Sequence, residues 1–91
     1  MSVRAWHEIV TAAAGTIILN DALSHTDPVS AVYVLEDSEF SKLTDAAGND
    51  RDDYIKDSAI AVKAGALITP FDKQNPFVEV ALASGSVVLI K

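Results

Sequence analysis

The chain has 91 residues, which allows one domain (1–91), because a second independent core would bury too little surface. Thirteen acidic and seven basic residues give a net charge of -6, which repels nucleic-acid phosphates and anionic lipid headgroups. There is no cysteine, so neither a disulfide framework nor a thiolate metal site is available. We therefore expect a single domain that has no nucleic-acid partner.

Residues 1–14 are a possible N-terminal arm, either helical or extended. Trp6, Ile9 and Ala13 are three and four residues apart, which is typical of a helix. The spacing of Trp6, Glu8 and Val10 is an equally poor strand pattern, so both conformations stay open.

The same region gives no sign of a membrane segment. The longest uncharged stretch, residues 9–20, is shorter than the roughly 20 apolar residues that a membrane span requires. His7 and Glu8 stand where a secretory signal would be apolar. We expect no membrane partner, and a mature chain that starts at or near Met1.

The rest of the chain predicts β-structure. Ten valines and seven isoleucines favour strands, because β-branched side chains pack well on a pleated surface. The apolar segments are short and are bounded by Gly, Pro, Asp, Asn or Ser. The six predicted strands are residues 15–19, 30–36, 59–62, 66–69, 77–82 and 86–90. This pattern predicts an all-β domain, a small β-sandwich or β-barrel-like fold of about six short strands.

Between the second and third predicted strands, two isolated apolar residues indicate a segment that packs on the core. Phe40 and Leu43 both have polar neighbours. We expect this segment to contact the core at these two points. The segment is not one of the predicted strands.

Residues 45–57 form the most acidic part of the chain, with five aspartates and a Gly-Asn pair. Their composition predicts a solvated loop or hairpin tip, with Tyr54 and Ile55 folded back onto the domain. A calcium site is disfavoured, because Ile55 stands where an EF-hand loop requires glycine. The residues predicted to form an exposed contact loop are Asp45, Asn49, Asp50, Arg51, Asp52 and Asp53.

At the C-terminus, two apolar runs flank Ser84-Gly85-Ser86, which predicts a hairpin turn. Strict alternation would place Val78 on the same face as Val80, with Phe77 on the other face. Residues 87–90 are apolar on both faces and need cover on both sides, and a second copy is the expected cover. The residues expected in the core or in an interface between copies are Phe77, Val78, Val80, Leu82, Val87, Val88, Leu89 and Ile90.

The chain carries no recognisable catalytic, cofactor or metal motif. Asp52 and Asp53 share one polar loop, whereas catalytic carboxylates usually need environments that separate their pKa values. His7 and His25 are the only imidazoles and lack zinc-site spacing. Ser84 lacks the GxSxG frame of a nucleophile turn. We therefore expect a protein that is not an enzyme and that uses no cofactor.

Three segments, residues 34–45, 64–70 and 82–90, resemble small structural proteins of tailed bacteriophages. In that group a VLEDxxFxxLTD segment is followed by an AG strand, a kink and a closing LASGxVI strand. This chain departs from the pattern at residues 70–76, where its loop is longer than the usual glycine-containing kink.

The resemblance implies a virion component, a capsid decoration, cement or head-fibre protein. It further implies a homotrimer that binds the major capsid protein on the capsid surface and is made in the host cytoplasm. One alternative is a tail or fibre module that binds a host receptor through residues 45–57. Another is a small metal- or ligand-binding β-module unrelated to phage.

Overall fold

A computed structural model describes residues 15–21 and 24–91 as six strands and one helical turn. The arm assigned to residues 1–14 lies outside this part of the chain. The elements, in chain order, are β1 (Thr16–Leu19), β2 (Ala31–Val34), β3 (Glu39–Asp45), α1 (Arg51–Tyr54), β4 (Leu67–Ile68), β5 (Phe77–Ser84) and β6 (Val87–Ile90). The all-β prediction is confirmed.

The strands form two antiparallel sheets, one with the order β1-β6-β2-β4 and one that contains β3 and β5. Strand β6 lies between β1 and β2, with Leu89 opposite both Ile17 and Val32. Both hydrogen-bonding edges of the C-terminal strand are therefore covered within one copy of the chain. A second copy is therefore not needed to pair with this strand.

The two sheets share a corner just before β2. The backbone of Val29 exchanges two hydrogen bonds with Phe77 in β5, with N···O distances of 2.8 and 2.9 Å. The next residue, Ser30, donates its N–H to Ile90 in β6 at 2.7 Å. One continuous segment therefore leaves the two-stranded sheet and enters the four-stranded sheet, as at the corners of barrel-like sandwiches.

A second corner forms just before β4. Val62 and Ser38 exchange backbone hydrogen bonds of 2.7 and 2.9 Å next to the start of β3. Gly65 then donates its N–H to the carbonyl of Val34 in β2 at 2.8 Å. Residues 59–62, predicted as a strand, contribute only the single bridge at Val62. That strand prediction was wrong because its apolar residues lie in the turn that forms this corner.

The hydrophobic core fills the space between the sheets. Phe77, Leu43, Leu82 and Leu89 are its largest completely buried side chains, and Phe40 is 4% exposed. Of the eight residues expected in the core or an interface, five belong to this core: Phe77, Val80, Leu82, Val87 and Leu89. Ile90 is buried on the opposite face of β6, and Val78 and Val88 are half-buried.

Irregularities in the β3–β5 pair correct the predicted faces of β5. Thr44 lies opposite Glu79, but Asp45 lies opposite Phe77, so Val78 is one extra residue on β5. Such a bulge breaks the alternation of side chains. Phe77 and Val80 consequently share the core face, and placing Val78 on that face was wrong.

Strand β3 contains a similar irregularity, and the sequence analysis did not identify this strand. Phe40 pairs with Leu82 and Lys42 with Ala81, which leaves Ser41 as the extra residue. Phe40 and Leu43 therefore both enter the core although they are three residues apart. The predicted two-point contact with the core is confirmed.

The connection between β5 and β6 is not a hairpin. Strand β5 pairs with β3, whereas β6 pairs with β1 and β2 in the other sheet. Ser84-Gly85-Ser86 therefore forms an arch from one sheet to the other, and the predicted hairpin turn was wrong. Gly and Ser are as suitable for an arch as for a hairpin, so the turn sequence alone did not distinguish them.

Candidate interaction surfaces

The acidic loop after β3 is more ordered than its composition indicates. Asp50 caps α1, since its side chain accepts a hydrogen bond from the N–H of Asp52 at 3.0 Å. The side chain of Asp53 in turn accepts the N–H of Asp50 at 3.1 Å. This reciprocal pair is a capping box, which satisfies backbone donors that a helix start leaves free. The sequence signal was the Asp50-x-x-Asp53 spacing.

Asp45 is the buried centre of this loop, with only 2% of its surface exposed. Its Oδ1 accepts the N–H groups of Ala47 and Asn49, both at 3.0 Å. Its Oδ2 accepts the side-chain amide of Asn49 at 3.0 Å and the hydroxyl of Tyr54. Placing Asp45 in an exposed contact loop was therefore wrong, because its carboxylate is used to hold the loop together.

The bond between these two side chains shifts both pKa values. The Tyr54 hydroxyl lowers the pKa of Asp45, burial opposes this, and the bonds from Asn49 and Ala47 add to the lowering. Burial, followed by the bond to Asp45, raises the pKa of Tyr54 to about 12. The pair is therefore stable with Asp45 ionised and Tyr54 protonated.

The shift at Tyr54 predicts a loss of stability at high pH. The folded pKa of about 12 exceeds the ordinary value of 10.0, so this contribution is complete below pH 10 and disappears as pH rises through 12. Denaturant unfolding of the wild type and of Tyr54→Phe between pH 7 and pH 12 measures it. We expect the advantage of the wild type to shrink above pH 10, and an advantage that stays constant to pH 12 would contradict the assignment.

The side chain of Arg51 binds backbone carbonyls of β3. Its Nη1 donates to the carbonyls of Phe40 and Ser41 at 3.0 and 3.2 Å, and its Nε lies 3.7 Å from Oδ1 of Asp52. Of the six predicted contact residues, Asp50, Asp52 and Asp53 are exposed, while Arg51 and Asn49 are half-buried.

An open cleft of about 290 Å³ lies between β3 and α1. Lys42 and Arg51 supply two positive charges to its walls, and Asp50 and Asp52 supply two negative charges. The side chains that line the cleft therefore carry equal numbers of positive and negative charges.

An aromatic pair lies beside this loop. The rings of Tyr54 and Phe71 stack with centroids 4.1 Å apart and an interplanar angle of 12°. Tyr54 also meets the buried ring of Phe77 edge to face, at 5.1 Å and 69°. Phe71 remains 64% exposed, so one face of the pair is anchored in the core and the other is open to solvent. The role of Phe71 could not be predicted, because nothing local in the sequence shows what its ring would contact.

A row of apolar side chains crosses the outer face of the four-stranded sheet, and we call it the outer row. It consists of Ile18, Val88, Tyr33 and Leu67, which lie opposite one another in β1, β6, β2 and β4. Ile18 is 62% exposed, and the other three are half-buried. Their neighbours along the strands point into the core, so the outer row faces away from it. No residue of the outer row is charged.

The three segments that resemble phage proteins meet at the second corner of the fold. Gly85 adopts a φ of +93°, and a Cβ there would lie 2.6 Å from the Cβ and 2.7 Å from the Cα of Ser38. The Ser38 hydroxyl donates to the carbonyl of Glu36 at 2.7 Å. Gly65 and Val34 bond to each other at the same corner. Ser38 and Gly85, which belong to two of these segments, therefore help to hold this corner together.

Within residues 15–21 and 24–91, no three His, Asp or Glu side chains are grouped so that they could hold a metal ion. His25 lies in this part of the chain, and its Nε2 is buried without a hydrogen-bond partner. His7 lies outside it. In the same residues, no helix is long and apolar enough to cross a bilayer.

Comparison of the chain with protein-family models gives no match, and comparisons with curated proteins and with solved structures give none either.

Proposed function

We propose that this chain is a non-enzymatic structural protein of a tailed-bacteriophage virion. In this proposal it decorates or cements the capsid by associating with itself and by binding the major capsid protein. The resemblance of residues 34–45, 64–70 and 82–90 to small phage structural proteins supports the virion assignment. A structural use of these segments is also supported by the close contact of Ser38 with Gly85, which joins two of the segments at a corner of the fold.

The outer row is the main structural support for the proposed self-association. It forms a continuous apolar strip across all four strands of one sheet, on the face opposite the core. Fully burying a large aliphatic side chain contributes roughly 1.5 to 3 kcal/mol, so even partial burial of several in one interface is a substantial driving force. Copies related by closed symmetry would each bury the same strip, and the resemblance favours three copies.

The self-association proposal predicts that Ile18→Asp dissociates the oligomer. The side chain of Ile18 is exposed in one copy, so a charge there is compatible with folding, but an interface would bury it without a partner. We expect sedimentation velocity to show an oligomer for the wild type and a subunit dissociation constant at least about tenfold higher for Ile18→Asp.

Ile60→Asp is the matched control, because Ile60 is exposed to the same degree, 61%, but lies outside the outer row. We expect this variant to sediment like the wild type. A wild type that stays monomeric at high concentration, or equal behaviour of the two variants, would contradict association through the outer row.

A further inference from the structure

We propose that the open face of Phe71 binds an arginine side chain presented by a protein partner. Phe71 is the most exposed large hydrophobic side chain in the described part of the chain, at 64%. Its ring lies parallel to the ring of Tyr54, which covers one face and leaves the other accessible. An accessible aromatic face attracts a guanidinium group through the ring quadrupole.

The position of Phe71 is fixed before any partner arrives. Its backbone N–H donates to the Tyr54 hydroxyl at 3.3 Å, and that hydroxyl is itself bonded to the buried carboxylate of Asp45. Tyr54 is further held by its edge contact with Phe77 in the core. A binding group that is already ordered loses little conformational freedom on association, which favours affinity.

The loop that carries Phe71 is held in place as well. Asp72 accepts the N–H of Gln74 on its side chain at 3.0 Å and the N–H of Asn75 on its carbonyl at 2.9 Å. Pro70 and Pro76 flank this turn and restrict its backbone further. The ring therefore projects from a supported turn rather than from a free loop.

The negative charge of the chain favours a cationic partner for Phe71. Asp72 follows Phe71 directly in the chain and Asp53 precedes Tyr54 directly, and both aspartates are exposed. The whole chain is acidic, with a net charge of -6. A planar cation can stack on Phe71 while one of its N–H groups reaches a carboxylate, which arginine does better than lysine. This inference concerns the Phe71 surface alone and holds for any arginine-bearing protein, whether or not the chain is a virion component.

The test is an NMR titration of the full chain with an acetylated and amidated Gly-Arg-Gly peptide, and with its citrulline analogue. Citrulline keeps the planar shape of arginine but has no charge. We expect the arginine peptide to shift the ring signals of Phe71 and Tyr54, and the citrulline peptide to bind them at least about twofold more weakly. Absent ring shifts, or equal binding of the two peptides, would overturn the proposal.

Variants separate stacking from general attraction between charges. Phe71→Leu keeps an apolar side chain without a π face and should weaken binding about two- to fivefold, whereas Phe71→Trp should preserve or strengthen it. Asp72→Asn keeps the acceptor for Gln74 and should weaken binding about twofold. Asp57→Asn removes one exposed charge elsewhere on the acidic loop and serves as the control. If Phe71→Leu binds the arginine peptide as well as the wild type does, the proposal is wrong.

Discussion

Replacing Gly85 with alanine is expected to destabilise the domain by about 3 kcal/mol. The backbone at Gly85 has a φ of +93°, which L residues rarely adopt. The added Cβ would also lie 2.7 Å from the Cα of Ser38, a backbone atom held by its bridge to Val62. Denaturant unfolding followed by circular dichroism measures the change in the free energy of unfolding.

Gly65→Ala separates the two causes. Gly65 has nearly the same φ, +90°, but a Cβ there would have nothing within 4 Å. This variant therefore carries only the conformational strain, and we expect it to cost about 1 kcal/mol. If Gly85→Ala costs no more than Gly65→Ala, the close contact of Gly85 with Ser38 is wrong, and with it the path of the arch between the sheets.

Replacing Phe77 with alanine is expected to cost about 3 to 5 kcal/mol, because the variant loses apolar burial and leaves a cavity between the sheets. Phe77 is the largest completely buried side chain of the core. For a domain of this size the change should lower the melting temperature by on the order of 20 °C. Thermal unfolding followed by circular dichroism gives the value.

Phe71→Ala is the matched control, since Phe71 and Phe77 both contact the ring of Tyr54. Phe71 is largely exposed, so its loss removes mainly the stacking contact, worth about 0.5 to 1.5 kcal/mol. The two variants should therefore differ clearly. A similar cost for both would mean that Phe77 does not occupy the core face, and that the bulge at Val78 is misplaced.

The strand content of the fold could be predicted from short β-branched runs, but side-chain faces could not. In β5 one extra residue at Val78 brings Phe77 and Val80 to the same face. In β3 an extra residue at Ser41 lets Phe40 and Leu43 share the core, although this spacing does not alternate. A bulge depends on the pairing of two strands, so neither strand shows it in its own sequence.

The arch and the burial of Asp45 could not be predicted from the sequence for a related reason. Ser84-Gly85-Ser86 connects strands equally well within a sheet or between sheets, and only the pairing of β6 with β1 and β2 decides. Asp45 resembles its acidic neighbours in composition, yet it alone lies where Asn49 and Tyr54 reach it. Its burial follows from the loop closing around it, which composition does not show.

The C-terminal strand illustrates how the structure changes the functional hypothesis. The apolar run at Val87–Ile90 correctly predicted a strand that needs cover on both sides. Within one copy, strands β1 and β2 pair with both of its edges, and the core covers the face that carries Val87 and Leu89. The proposed contact between copies therefore moves from the strand itself to the outer row, where Ile18 is exposed and Val88 is half-buried.

The central claim, that this chain is a capsid component of a tailed phage, is tested most directly by quantitative mass spectrometry of gradient-purified virions of its proposed source, a tailed phage that encodes it. The measured quantity is the molar ratio of this chain to the major capsid protein. A capsid decoration or cement protein should be present at a constant ratio on the scale of the capsid protein itself. Absence from purified virions, or a copy number on the scale of the few-copy tail proteins, would contradict the proposed function.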